Sequence, residues 1–168
     1  MGKLKSASEF IPKIDFAKIL AMQNREFFWG VLTATFVADL ATKFCVQKWL
    51  VIPRKILPFF ELEFVENQNL AFGIALPRIW IILFSLVALV LLANIFVKNV
   101  RKQSKISGIA FGLIFGGALG NLGERIIFAR VIDFIALPVI PNFNLADAAL
   151  TIGIILLLAF YSKIFKKN

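Results

Sequence analysis

The sequence predicts an integral membrane α-helical protein with four transmembrane helices and a small extracytoplasmic β-sheet, or cradle. Sixty per cent of the 168 residues are hydrophobic, and the mean hydropathy is +0.84. Soluble domains carry about 45–50% apolar residues, so both values are typical of a chain embedded in lipid. Charged residues occur in short clusters between long apolar stretches, which is the pattern of a multi-pass membrane protein.

Four apolar stretches are long enough to be transmembrane helices. Crossing the ~30 Å hydrocarbon core takes about 20 helical residues. The stretches lie at about 27–50, 79–97, 106–126 and 145–165, and we expect outer loops at about 51–76 and 127–144. The second stretch is the most apolar, with Ser85 and Asn94 as its only polar interruptions. Residues 27–168 are therefore predicted to form one four-helix domain.

The distribution of basic residues predicts the orientation of these helices. Twelve Lys and Arg residues lie in the N-terminal tail, in the connection at 98–105 and at the C-terminal end, whereas six lie in the other two connections. Cytoplasmic loops carry the excess of Lys and Arg, so both termini are predicted to be cytoplasmic. Residues 1–26 then form a basic cytoplasmic extension, which would be attracted to anionic lipid at the interface.

The two outer connections are predicted to contain strands. In "FFELEFVENQNLAF" apolar and acidic residues alternate from Phe60 to Phe64, which indicates a β-strand or hairpin. The second connection, "VIDFIALPVIPNFN", contains Pro138 and Pro141 and so cannot be a continuous helix. It could add strands to the same small sheet.

The third predicted helix carries a ladder of glycines. Gly108, Gly112, Gly116 and Gly120 are spaced by four residues and share one helix face. Small residues on one face allow a neighbouring backbone to approach closely, so the ladder indicates helix packing.

Ionisable and polar groups within the predicted helices gather near one level. Counted from Phe27 at 1.5 Å per residue, Asp39 lies about 18 Å and Lys43 about 24 Å into the membrane, in its outer half. Asn121, Glu124 and Arg125 close the outer end of the third helix. Such residues are costly in a membrane and mark function by default.

Several of these residues also have a purely structural interpretation. Asp39 and Lys43 are spaced i,i+4 with the acid first, which favours an ion pair, so they either anchor the outer loop or contact a substrate. Asn144 suits the N-cap of the fourth helix, and Asp147, three residues later, could simply stabilise the helix start. Capping does not explain Asp133, which lies in the preceding loop.

Composition limits the possible chemistry. The chain has no histidine, which excludes a Ser-His-Asp relay, a Cys-His pair and a histidine-bound metal. Its one cysteine, Cys45, cannot form an intramolecular disulfide. The net charge of +9 does not form a basic stripe, and we expect no nucleic-acid binding.

Two carboxylates at one site can share a proton and activate water, as in aspartic proteases. Metal binding is the competing use, but two aspartates alone make a sparse site.

Four motif blocks make the pattern specific. They are "DLATK", "NQNLAFG", "GGALGNLGERIIFARVIDF" and "FNLADAALTIG", in this order. In these blocks the sequence resembles the lipoprotein signal peptidases (signal peptidase II), a family of bacterial membrane aspartic peptidases, over about 27–165. The positions that match the family's patterns are Asp39, Lys43, Asn67, Ala71, Phe72, Gly73, Gly116, Gly117, Asn121, Arg125, Asp133, Phe143, Asn144, Ala146, Asp147 and Gly153.

The resemblance implies a function and a site. Asp133 and Asp147 would be the catalytic dyad, and the substrate would be a diacylglyceryl-modified prolipoprotein cut before its lipid-bearing cysteine. The residues that would bind substrate or brace the site are Asp39, Lys43, Asn67, Asn121, Arg125 and Asn144. The family uses no metal ion and no organic cofactor, and it is inhibited by cyclic peptides of the globomycin type. The expected setting is the bacterial cytoplasmic (inner) membrane, with a monomer in contact with membrane lipids and an active site at the extracytoplasmic face.

Four positions depart from the family's pattern. Asn69 and Leu70 stand where the family usually has Gly and Ala, Glu124 replaces an Asp before Arg125, and Ala129 replaces a Gly. Asn tolerates a left-handed backbone, so the turn at position 69 is expected to survive.

Two other classes of protein remain as alternatives. A transporter or proton-coupled channel would also carry ionisable residues within helices, but it predicts polar groups spread across the membrane and often an internal repeat. A non-catalytic assembly factor would use the glycine ladder to bind a partner helix.

Overall fold

The computed structural model describes residues 25–69, 74–99 and 105–164, which form five helices and four strands. The helices are α1 (Arg25–Trp49), α2 (Arg78–Asn99), α3 (Lys105–Phe128), α4 (Leu145–Ala159) and α5 (Tyr161–Ile164). The strands are β1 (Arg54–Leu57), β2 (Phe60–Asn67), β3 (Val131–Leu137) and β4 (Ile140–Phe143). The predicted N-terminal extension lies almost wholly outside the described residues, as do most of the basic connection at 98–105 and the motif positions Ala71, Phe72 and Gly73.

Three of the helices are long and apolar enough to cross a membrane. These are α1, α2 and α3, with apolar spans at Glu26–Trp49, Arg78–Val97 and Lys105–Phe128. Their bounds agree with the predicted helices to within a few residues. The chain is therefore a helical membrane-type protein with a small antiparallel sheet.

The fourth predicted helix is shorter than expected. Instead of one helix over about 145–165, α4 covers 15 residues and ends at Ala159, and the chain turns at Phe160 before α5. Fifteen residues rise only about 22 Å. Tertiary packing explains the interruption, because Phe160 and the fully buried Ile164 both pack into a cluster with Phe28, Phe96 and Phe111.

Helix α3 is the centre of the bundle, and its glycines set the packing distances. It packs along α1 on one side and along α4 on the other. A Cβ added at Gly112 would lie 2.9 Å from the Phe28 carbonyl oxygen, and one at Gly116 would lie 2.7 Å from that of Leu32. The predicted role of the ladder in helix packing is confirmed. Its last member, Gly120, leaves room for the Asp39 carboxylate, 2.5 Å from such a Cβ.

The strands form one antiparallel sheet in the order β1-β2-β3-β4. The strand predicted from the alternation at 60–64 is confirmed, and the second outer connection does add two strands to the same sheet. All positions of β2 except Glu66 are half-buried, so the alternation does not separate a buried from an exposed face. Pro138 lies in the turn after β3 and Pro141 lies in β4, at an edge of the sheet where a missing N–H is tolerated.

Candidate active site

Asp133 lies in the buried first half of β3, where the sheet meets the helices. Its side chain accepts a hydrogen bond from Asn67 Nδ2 at 2.8 Å and another from Asn144 Nδ2 at 2.7 Å. The residue is 2% exposed. Burial raises the pKa of Asp133 from 3.8 to about 6; the negative charge of Asp147 raises it further, while the two amide donors oppose the rise. Asp133 can therefore hold a proton up to about pH 6, well above the ordinary range of an aspartate.

Asp147 lies in the first turn of α4 and is held by different donors. Asn121 Nδ2 donates to its Oδ1 at 2.8 Å, and the backbone N–H of Asn144 donates to its Oδ2 at 3.3 Å. Asn144 Oδ1 in turn accepts from the Asp147 N–H at 2.9 Å, which completes a capping box. The predicted N-cap is thus confirmed. The capping role and contact with the site coexist, because the same residue also lines the cavity described below.

Asn144 joins the two aspartates. Its side-chain amide donates to Asp133, whereas its backbone N–H donates to Asp147. The side chain is fully buried and also donates to Asn121 Oδ1 at 3.2 Å. One residue therefore fixes where both carboxyl groups point.

Lys43 is the centre of a second, deeper group of polar side chains. Its Nζ lies 2.8 Å from Asp39 Oδ2, 2.9 Å from Asn121 Oδ1 and 2.8 Å from Glu124 Oε2. An ammonium group has three N–H bonds, so these three acceptors satisfy it. The predicted ion pair between Asp39 and Lys43 is confirmed. Asp39, Lys43 and Glu124 are all buried, and none of them lines the cavity.

The two acids beside Lys43 also hold the backbone next to each aspartate. Asp39 accepts the N–H of Ala146 at 2.9 Å, and Glu124 accepts the N–H of Ile132 at 3.3 Å. Sequence reasoning missed both contacts; it placed Glu124 at the polar outer end of the third helix and noted it as a departure from the family's pattern, but gave it no role in the site. The available signal was its spacing, because Glu124 follows Asn121 by three residues and so lies on the same helix face.

Arg125 borders the site from α3. One of its terminal nitrogens donates to the Asn69 carbonyl at 3.5 Å, and its Nε is buried without a hydrogen-bond partner among the described residues. Asn69 donates its N–H to Asn67 Oδ1 at 2.9 Å, so this turn supports the amide that reaches Asp133. Ala129, another departure, adopts a φ of 61°, the left-handed region that favours glycine.

A cavity of about 720 Å³ opens beside the two aspartates. Its polar part is formed by the side chains around Asp133 and Asp147, including Asn67 and Arg125. Its apolar walls come from α2, α3, β4 and α4, through Leu89, Leu92, Ile114, Ile140, Phe143 and Ile152. The space can take a ligand with a polar group at the carboxylates and an apolar body among the helices.

The structure brings all eight sequence-predicted site residues into one region. Asn67, Asn121, Arg125, Asp133 and Asp147 line the cavity, and Asn144, Asp39 and Lys43 lie directly behind it. Among the residues that the structure describes, no three His, Cys, Asp or Glu side chains are arranged to hold a metal ion.

The structure is thus an apolar helical bundle of the membrane type, with amide-held carboxylates beside a cavity whose walls are largely apolar. A solved bacterial membrane enzyme, determined by the in meso method at 2.3 Å resolution, superposes with a TM-score of 0.71 at 28% identity. The match covers 82% of this chain and 91% of that one.

Sequence comparison identifies the family. The family model described as signal peptidase (SPase) II matches residues 31–163, and the chain belongs to this peptidase family. The lipoprotein signal peptidase of Caldicellulosiruptor bescii is 38% identical over 133 residues, which are 77% of this chain and 87% of the relative. That of Aquifex aeolicus is 34% identical over 150 residues, covering 83% of this chain and 89% of the relative. The resemblance found in the sequence motifs is confirmed.

Proposed function

We propose that this protein is an aspartic endopeptidase that removes signal peptides from diacylglyceryl-modified prolipoproteins, by cleavage before the lipidated cysteine. The observation that carries the proposal is the attachment of Asp133 and Asp147 to one buried residue, Asn144, at the mouth of an apolar cavity. The names of the relatives, lipoprotein signal peptidases, support the substrate class. The polar groups gather at one end of the bundle, which disfavours a transport pathway across it.

The proposed reaction starts with one proton shared by the two carboxyl groups. We assign that proton to Asp133, whose pKa burial raises, and the role of general base to Asp147. Water attacks the scissile carbonyl carbon and gives a proton to Asp147, while Asp133 protonates the carbonyl oxygen. In the second step the carbon–nitrogen bond breaks as Asp147 protonates the leaving nitrogen, and Asp133 recovers a proton from a hydroxyl of the tetrahedral intermediate. The pair returns to its starting state, and no covalent peptidyl-enzyme forms.

The surrounding residues have separate proposed roles. Asn67, Asn121 and Asn144 hold the carboxyl groups in their catalytic orientation through the hydrogen bonds described above. Arg125 presents at the cavity wall a buried Nε–H that has no partner in the part of the chain that the structure describes, which suits a substrate carbonyl oxygen. Of the two interpretations of Asp39 and Lys43, we favour positioning over substrate contact, because both lie behind the cavity wall.

We propose that the protein crosses the bacterial inner membrane four times. Helix α4 and the short α5 together make the fourth crossing, and the Lys and Arg distribution places both termini in the cytoplasm. The aspartates then lie at the extracytoplasmic face. The apolar walls of the cavity, such as Leu89, Leu92 and Ile152, would accommodate the lipid of a substrate or the apolar part of a globomycin-type cyclic peptide.

The proposal is tested by cleavage of a purified lipidated prolipoprotein in detergent–lipid micelles. Asp133→Asn and Asp147→Asn are each expected to abolish cleavage, because an amide cannot exchange the required proton. Glu26→Gln, which removes an exposed carboxylate from α1, is the matched control and is expected to cleave normally. Turnover at the unmodified rate by either aspartate variant would overturn the dyad assignment. Trapping a covalent peptidyl-enzyme would overturn direct attack by water.

A second variant separates capping from catalysis. Asn144→Ser keeps a side-chain oxygen that can accept the Asp147 N–H, but it loses the amide that donates to Asp133 and adds no charge. Removing the donor to a buried acceptor costs about 1–3 kcal/mol, so we expect cleavage to slow by about 5- to 150-fold with helix content unchanged. Equal losses of helix content and activity would mean that Asn144 acts only as a cap.

A further inference from the structure

The end of the sheet farthest from the aspartates consists of two apolar turns. The turn between β1 and β2 has the sequence Leu57-Pro58-Phe59-Phe60, and that between β3 and β4 has Leu137-Pro138-Val139-Ile140. Leu57 pairs with Phe60, and Leu137 pairs with Ile140. Because Glu61 pairs with Ala136 across β2 and β3, the two turns lie side by side. They are called the paired turns below.

The paired turns are exposed although they contain no polar side chain. Val139 is 90% exposed and Phe59 60%, and Leu57 and Ile140 are each close to half exposed. Two-residue turns that face water are usually built from Asn, Asp and Gly. Contiguous exposed apolar surface of this kind marks contact with a membrane or a partner.

Charged residues begin one step back from the first of the paired turns. The sheet register pairs Lys55 with Glu61, the first charged residues on either side of the first turn. The opposite end of the sheet is polar, with an ion pair of 3.3 Å between Arg130 and Glu66. An apolar tip followed by a charged level is the arrangement of a segment that enters the boundary between lipid headgroups and acyl chains.

The cavity connects this part of the sheet to an apolar helix. Ile140 and Pro141 line the same cavity as Ser85 and Leu89, which belong to the apolar span of α2. Strand β4 therefore borders a cavity that extends along a helix long and apolar enough to cross a membrane. We propose that the paired turns insert into the bilayer interface and anchor the sheet to the lipid surface, with lipid as their partner.

The proposal is tested by measuring the contact of single spin labels with lipid. In a Cys45→Ala background, Phe59→Cys and Val139→Cys are labelled with a nitroxide, and the full chain is placed in lipid nanodiscs. Collision with oxygen, which enters lipid, is compared with collision with a water-soluble nickel chelate. Phe84→Cys on the exposed surface of α2 is the lipid-facing control, and Glu66→Cys at the polar end of the sheet is the water-facing control.

At both turn positions we expect the ratio of oxygen collisions to nickel-chelate collisions to be severalfold higher than at position 66. The ratio should resemble that at position 84, the lipid-facing control. Collision ratios like that at position 66 would overturn the proposal. Protection from both reagents would also overturn it, because a protein surface would then cover the turns. The measurement needs no substrate, so its result is independent of the proposed peptidase activity.

Discussion

The buried carboxyl group of Asp133 is expected to make the folded protein less stable as the pH rises. Its pKa is 3.8 when unperturbed and about 6 in the folded protein, mainly because burial disfavours the charged form. Between these values the folded state binds more protons than the unfolded state, so the free energy of unfolding falls as the pH increases. Below the lower value Asp133 contributes no cost, and above the higher value the full cost is present.

The size of this effect follows from the two pKa values. They differ by about 2.2 pH units, and 1.36 kcal/mol per unit gives about 3 kcal/mol. The side chain is 2% exposed, so solvent does little to screen it. Asp133→Asn removes the titration and with it the pH-dependent cost. The new amide also faces the donors of Asn67 and Asn144, but that penalty is the same at every pH.

The assay is thermal unfolding of the unmodified protein and Asp133→Asn in the same micelles from pH 4 to pH 8. Relative to the unmodified protein, the variant should gain about 2.4 kcal/mol between the two ends of this range, because part of the cost is already present at pH 4. For a chain of this size that corresponds to a relative change in Tm of about 5–10 °C. Glu26→Gln controls for loss of an exposed carboxylate and should show no comparable trend. Parallel curves for the unmodified protein and Asp133→Asn would refute the reasoning, and so would a gain on the acid side.

Three further predictions concern stability and use thermal unfolding at constant pH. Ala129→Gly should raise the free energy of unfolding by about 1 kcal/mol, because it relieves a left-handed alanine; a lower Tm would contradict this. Glu124→Gln should cost about 3 kcal/mol by breaking a buried ion pair, against less than about 1 kcal/mol for Glu66→Gln at the surface; equal effects would mean that burial is unimportant. Gly116→Ala should lower the Tm by forcing a methyl group against the facing helix, whereas Gly123→Ala, with open space around it, should not; similar shifts would exclude close packing.

The sequence predicted the parts of the fold that depend on local patterns. Three long apolar stretches are helices long enough to cross a membrane, as predicted. The glycine spacing identified the face of α3 that packs on α1. The end of the fourth helix could not be predicted, because the apolar run continues past Phe160. The helix stops there through packing of Phe160 and Ile164 against aromatic residues from three other helices. Contacts between distant segments leave no trace in local periodicity.

The same limit applies to the candidate site. Motif matching selected residues that the structure places together, because the motifs already contain information about spatial neighbours. Glu124 was missed as a positioning group, because one of its partners is the backbone N–H of Ile132 in β3, and its spacing from Asn121 on α3 does not reveal a main-chain partner. The register of the sheet could not be predicted from the sequence either. Alternation predicts a strand, but irregularities such as that between Leu62 and Val65 are set by pairing with β3.

The nature of the hydrogen-bond donors explains how this site can retain a proton. The hydrogen bonds to Asp133 and Asp147 described above come from neutral amides, whereas Lys43 makes its contacts with Asp39, Glu124 and an amide oxygen. A cation bound directly to either aspartate would favour ionisation of both. Two buried acids instead balance the lysine behind the cavity wall, and each of those acids also holds a backbone N–H next to one aspartate. The arrangement uses charge to fix the positions of the carboxyl groups and keeps the ammonium group of Lys43 out of direct contact with them, as the proposed sharing of a proton requires.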